Sequence, residues 1–214
     1  MKIGIIGSGG VGQTLAKGFI AEGHEVMIGT RDMSTGKLSA FGEENKVATG
    51  TFQDTARFGD LLVLCTKGDG AKNALDLAGA GNLASKIIID TTNPIAALPP
   101  ENGVLHYTTT FDRSLMEILQ DAFPNAKFVK AFNSVGNALM YKPKLAGGKP
   151  SMFICGNDEK AKETVTEILT SFGWDTEDMG SSTAARAIEP LCMLWCIPGF
   201  LKNEWGHAFK LLRS

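Results

Sequence analysis

A doubly wound, mostly parallel α/β sheet with a short C-terminal helical appendage is the fold this sequence predicts. Three observations lead there. A glycine-rich loop, Gly7-Ser8-Gly9-Gly10-Val11-Gly12, directly follows the first apolar run; short aliphatic runs recur along the chain; and segments of helical periodicity separate several of them. Residues 2–6 form the first apolar run, and residues 11–21 then carry Val11, Leu15, Gly18 and Phe19 at helical spacing. Gly23-His24 closes that helix and Glu25-Val26-Met27-Ile28 begins a second strand. The first unit is therefore a strand-helix-strand crossover of about thirty residues, whose handedness favours parallel pairing.

Further buried-strand runs occupy residues 61–65, 87–90, 128–131 and 152–155. Residues 158–172 start acidic and carry an apolar stripe through Ala161, Val165, Ile168 and Leu169, as an amphipathic helix on the sheet requires. After Gly180 the texture changes: Ser181-Ser182-Thr183 reads as a helix start, and large apolar residues including Trp195 and Trp205 follow, interrupted at Pro198-Gly199. The expected division is a nucleotide-binding domain over 1–180 and a helical segment over 181–214. One long loop is expected over residues 91–110, which hold Pro94, Pro99 and Pro100 and follow a strand end, where ligands bind in this architecture.

Composition narrows the classes. A chain of 214 residues holds one core with a modest appendage, and 43% hydrophobic with 21% charged residues excludes disordered and fibrous proteins. A formal net charge of -2 gives no general attraction for polyanions, so nucleic acid is not an expected partner. No basic region and cleavage site precede the first strand, and the apolar stretch 191–201 falls short of the roughly 20 residues that span a bilayer. The expectation is a cytoplasmic protein without a membrane span. Cys65, Cys155, Cys192 and Cys196 stand in apolar surroundings as reduced, buried thiols. Cys192 and Cys196 are spaced to share a helix face, but no histidine or second cysteine pair accompanies them, so no metal site is expected.

In the glycine loop, Gly7 fits the tight turn, Gly9 the close approach of backbone to a pyrophosphate, and Gly12 the packing of helix on strand. A helix beginning near Gly10 presents unpaired N–H groups and its positive dipole end to that pyrophosphate. The choice of dinucleotide rests on Gly29-Thr30-Arg31-Asp32 at the end of the second strand. Arg31 offers a planar fork for the 2′-phosphate of NADP, Thr30 and Ser34 offer hydroxyls, and Lys37 follows about one turn on. These residues favour NADP(H); against them, Asp32 stands at the distance of the acid that binds the ribose of NAD, which leaves NAD as the alternative.

These segments, together with Asp90-Thr91-Thr92-Asn93-Pro94, Lys130-Ala131-Phe132-Asn133 and the ending Ala208-Phe209-Lys210-Leu211-Leu212-Arg213, resemble the NADPH-dependent coenzyme F420 reductase family over essentially the whole chain. The oxidoreductase domain of the six-transmembrane metalloreductases is similar to the same family. The resemblance implies hydride exchange between nicotinamide C4 and a deazaflavin (F420) or flavin-like acceptor, a 2′-phosphate gripped by Thr30, Arg31 and Lys37, and a homodimer. Such a transfer needs two flat rings held about 3–3.5 Å apart and little side-chain chemistry, so no catalytic dyad is expected. His24 in a turn, His106 in a loop and His207 in the C-terminal helix read as solvated or capping residues.

Asn93 and Pro94 follow one strand end and are expected to border the nicotinamide; Asn133 follows another and is expected to hydrogen-bond an acceptor ring, with ordinary turn chemistry as the competing reading for each. Where family members usually carry an apolar, proline-containing stretch, this chain has Thr66-Lys67-Gly68-Asp69-Gly70 beside the expected nicotinamide pocket. Lys67 there suits an anionic group of the acceptor or solvent. Trp195, Phe200, Trp205 and Phe209 suit a core or dimer contact, with a wall of the acceptor pocket as the alternative. Two further readings stay open: reduction of another small molecule, such as a quinone or a flavin-bound metal chelate, and an NADPH-binding sensor without turnover.

Overall fold

A computed structural model of the chain describes residues 1–36 and 38–214; Lys37, expected beside a 2′-phosphate, lies outside them. Among the described residues eight strands form one sheet: β1 (Lys2–Ile6), β2 (Glu25–Thr30), β3 (Ala48–Thr51), β4 (Leu61–Leu64), β5 (Ile87–Asp90), β6 (Lys127–Lys130), β7 (Ser151–Gly156) and β8 (Asp175–Asp178). Their order is β3-β2-β1-β4-β5-β6-β7-β8. The first six run parallel, β7 is antiparallel to β6, and β8 is parallel to β7. The order reverses between β1 and β4, which is where an open sheet of this kind leaves a crevice outside its strand ends.

The helices are α1 (Gly10–Ala21), α2 (Ser39–Asn45), α3 (Phe52–Phe58), α4 (Gly68–Ala78), α5 (Ala80–Leu83), α6 (Leu115–Ala122), α7 (Glu159–Ser171) and α8 (Ala185–Lys202). They cover both faces of the sheet, and successive strand residues feed opposite cores. Ile3, Ile5, Val63, Ile89 and Val129 pack with Leu15, Phe19, Val165, Phe172 and Trp174 on one side. Ile6, Leu62, Leu64, Ile88 and Phe128 pack with Leu75, Met116 and Leu119 on the other. Burial on both faces is why β1, β4 and β5 read as continuous apolar runs.

The two edge strands were not expected from the sequence. Neither Ala48-Thr49-Gly50-Thr51 nor Asp175-Thr176-Glu177-Asp178 is apolar, because an edge strand needs no second buried flank; in the second, the acids also discourage pairing with another chain. Between β3 and β4, α3 starts on a capping box in which Thr51 and Asp54 satisfy each other's backbone N–H groups.

The C-terminal region differs from expectation in two ways. Helix α8 does not stop at Pro198-Gly199 but continues to Lys202, since a proline near a helix end removes a single ladder bond and the last turn tolerates the loss. The continuous helical stretch 182–202 is long and apolar enough to cross a membrane by length and composition, although the apolar run alone is shorter. In this fold its Ala185, Ile188, Glu189, Cys192 and Trp195 are buried. Asn203, in the left-handed region, ends the helix, and the remainder carries no helix. His207 therefore lies in an extended tail, stacked on Trp195. That tail is strapped to the sheet edge by Ser151 N–H donating to the Phe209 carbonyl, with Lys210 paired to Asp175 and Arg213 to Glu177. All four cysteines are buried free thiols.

Candidate nucleotide site

The turn from β1 into α1 is built by backbone proximity. Gly7 adopts φ 130°, and a Cβ there would lie 2.5 Å from the Cys65 carbonyl oxygen. A Cβ on Gly12 would lie 2.0 Å from the Gly7 carbonyl oxygen, so helix and strand approach more closely than a side chain permits. Around Gly9 a Cβ would meet nothing within 4 Å: this glycine faces open space. Gly7 N–H donates to the Gly29 carbonyl and Gln13 Nε2 donates to the Ser8 carbonyl, which fixes the loop from both ends. Gly9 caps α1 without a side-chain bond, and no acidic residue stands in the first turn, so the free N–H groups and the positive dipole end are left for an anion. Gly10 packs beside Asn137, whose amide donates to Thr14 Oγ1.

Two cavities open at the strand ends. The larger, about 670 Å³, is walled by Gly7, Ser8 and Gly9, by Thr30 and Arg31, and by Thr66 and Lys67. Phe52 and Asn73, from α3 and α4, also reach it; sequence reading did not single them out, because Phe52 follows β3, a strand without an apolar signature, and Asn73 lies within a helix outside any motif. The smaller, about 270 Å³, shares Cys65, Thr66 and Lys67 with it and continues to Val11, Thr92, Asn93 and Ala96. The two thus join beneath Thr66, whose Oγ1 is buried without a hydrogen-bond partner among the described residues. Open space at Gly9 and this orphaned hydroxyl fit an elongated ligand with an anionic centre and polar edges. Burial pushes the Cys65 thiol up to about 12, so it stands in the wall as a neutral thiol.

At the end of β2, Arg31 is exposed and free to reach a ligand phosphate. Asp32 turns the other way: its Oδ1 accepts from Ser34 N at 2.8 Å and from Ser34 Oγ at 2.7 Å. Those two bonds, with a smaller contribution from Arg31, hold its carboxyl below the usual range. Ser34 was expected to donate to a phosphate, but both of its donors face Asp32, because Asp before a tight turn caps it.

Of the two asparagines, Asn93 reaches a cavity wall and Asn133 does not. Asn93 Nδ2 donates to the Asn133 carbonyl at 2.8 Å, and Asn133 Nδ2 donates to Asn93 Oδ1 at 3.2 Å and to the Ile188 carbonyl at 2.9 Å. Asn133 is buried behind Asn93 and braces α8, so it does not face an acceptor ring; Asn93 lines the smaller cavity with its amide turned inward. The Pro94 carbonyl accepts from Thr108 and holds the base of the 95–107 excursion. Trp195, Phe200, Trp205 and Phe209 pack among themselves and with His207 and Cys192, and none lines either cavity. The three histidines are likewise absent from both walls.

Comparison with known proteins agrees with this geometry. The sequence model of the family described as NADP oxidoreductase, coenzyme F420-dependent, matches residues 2–94. A solved structure of a proposed F420-dependent NADP reductase from Arthrobacter sp. FB24 superposes with a TM-score of 0.92 at 36% identity, covering 100% of both chains. Metalloreductase STEAP3 of Rattus norvegicus is 32% identical over 206 residues, covering 94% of this chain and 39% of the relative. Metalloreductase STEAP2 of Homo sapiens is 27% identical over 192 residues, covering 89% and 36%. The chain thus spans less than half the length of these curated relatives.

The glycine geometry separates folding from binding. Gly12→Ala is expected to lower stability by at least ~2 kcal/mol through backbone overpacking, whereas Gly9→Ala changes it by less than ~1 kcal/mol because its Cβ enters open space. Thermal unfolding of both variants checks this; equal losses would contradict the assignment of Gly9 to the ligand face.

Proposed function

The chain belongs to the family of coenzyme F420-dependent NADP oxidoreductases, and on that premise we propose that it exchanges hydride between NADP(H) and a deazaflavin or flavin-like ring. The observation that carries the cofactor half is the divergence of Arg31 and Asp32. An NAD site needs an acid aimed at the ribose hydroxyls, and here the acid caps its own turn while the guanidinium stands exposed at the cavity mouth.

In this reading the N–H groups of residues 9–12 hold the pyrophosphate, and Arg31 with Thr30 takes the 2′-phosphate; Lys37 completes that grip. Thr66 offers its unpartnered hydroxyl at the junction of the two cavities. The smaller cavity, walled by Val11 and residues 91–93 and 95–97, receives the nicotinamide against the acceptor ring. NADPH supplies the hydride when bound. The protein orients the two rings and keeps water from between them, which is most of what such a transfer requires. Lys67, at the junction of the cavities, suits a negatively charged group on the acceptor.

The proposal includes a second copy of the chain seated on α8. Between residues 187 and 201 the single charged residue is the buried Glu189, while Leu194 and Leu201 are 54% and 59% exposed. An uncharged helix face of this kind is depleted in the way interface cores are. Sedimentation of the wild type is expected to give twice the chain mass and of Leu194→Lys the single mass; a monomeric wild type would rule the dimer out.

Arg31→Ala should weaken NADPH binding about 10- to 100-fold, the worth of a charge-assisted hydrogen bond of ~1.5–3 kcal/mol, and leave NADH affinity nearly unchanged. Titration calorimetry with both dinucleotides tests this. Equal losses for the two would remove the 2′-phosphate assignment.

A further inference from the structure

Directly behind the wall of the smaller cavity lies a charged cluster with no solvent contact. Lys130, the last residue of β6, is 0% exposed. Its Nζ lies 2.7 Å from Asp90 Oδ2 at the end of β5 and 2.9 Å from Glu189 Oε1 on α8, and donates to the Thr92 carbonyl at 2.8 Å. The remaining carboxylate oxygens are engaged too. Asp90 Oδ1 accepts from Thr92 N and Thr92 Oγ1, and Glu189 accepts from Leu115 N and Met116 N at the start of α6. Burial works against the ammonium, but the two carboxylates outweigh it and hold its pKa above the ordinary lysine value.

A buried ion cluster gives little net stability over apolar residues of the same volume, so its energetic use lies in what it fixes. What it fixes here is specific. Asp90 and Lys130 together grip Thr92 through its N–H, hydroxyl and carbonyl, and Thr92 and the adjacent Asn93 line the cavity. The same turn is gripped from its other side by Asn133, which follows Phe132, a buried non-glycine residue held at φ 61°. Backbone strain of this kind persists where the surroundings over-determine a position. Glu189 carries the restraint on to α6 and α8, and Tyr107 donates to its backbone carbonyl.

We propose that Lys130 is a positioning residue for hydride transfer: with Asp90 and Glu189 it locks the 91–93 turn in the one placement that stacks the nicotinamide on its acceptor. The inference rests on the function proposed for the smaller cavity. Lys130 touches neither ring and leaves the pyrophosphate loop and Arg31 unchanged, so its loss separates turnover from binding.

The test uses Lys130→Met and the near-isosteric Glu189→Gln in the full chain, with coenzyme F420 as acceptor. For Lys130→Met, kcat should fall about 100-fold, as for a displacement near 1 Å, while NADPH affinity stays within about threefold; Glu189→Gln should fall less, in the same pattern. Amide hydrogen exchange at Thr92 and Ile95 in the NADPH-bound protein should rise about tenfold relative to wild type, with exchange in α1 unchanged. Wild-type kcat and exchange in a folded variant would overturn the proposal. So would kcat and NADPH affinity falling together, or failure of both variants to fold, either of which assigns the cluster to stability alone. A wild type that turns over no acceptor would count against the proposed function, and the exchange measurement, which needs no turnover, would then decide on the brace by itself.

Discussion

The 2.0 Å that would separate a Gly12 Cβ from the Gly7 carbonyl oxygen is the constraint on which the site depends. Because no side chain intervenes, α1 can run out of β1 with its first N–H groups aimed across the strand ends. An anion is then met by backbone dipoles, without an accumulation of cationic side chains. This accounts for a nucleotide-binding architecture in a chain of net charge -2. The proposed 2′-phosphate contact asks for charge at one further place, beyond β2, where Arg31 lines the larger cavity.

The charges near the crevice are divided by burial. Exposed Arg31, Lys67 and Asp69 line the cavities, while Asp32 is turned into a cap. Behind the wall, Asp90 and Glu189 flank Lys130, and the three orient one another and hold a turn of backbone. The proposed hydride transfer between two rings asks for placement more than for acid-base chemistry, in keeping with cavity walls that hold no histidine and a Cys65 thiol kept neutral.

Legibility in the sequence followed how local each cause is. The β1-α1-β2 unit was readable because glycine spacing and helical periodicity are properties of neighbouring residues, and Gly7, Ser8, Gly9, Thr30 and Arg31 do wall one cavity. Strands β3 and β8 were not readable, since edge strands carry polar residues that read as loop. Pro198 looked like a helix end, yet packing of Trp195 and Cys196 carries α8 past it. Asn93 and Asn133 lie forty residues apart and bind each other, so the amide of Asn133, expected to meet an acceptor ring, meets Asn93 across the fold instead, while Asn93 still lines the smaller cavity. The Lys130 cluster draws its members from β5, β6 and α8. Its trace in the sequence is an aspartate and a lysine each closing an apolar strand and a glutamate within an apolar helix, charges that burial would forbid without partners.

The central claim is that this chain moves hydride from NADPH to a deazaflavin-like ring. Its most direct test is the loss of NADPH absorbance on mixing purified protein with coenzyme F420, with FMN and a quinone as parallel acceptors and NADH as the control donor. The account predicts rapid oxidation of NADPH by the deazaflavin and slow or no oxidation of NADH. A protein that binds NADPH yet oxidises it with none of the three acceptors would contradict the account and point to a dinucleotide sensor.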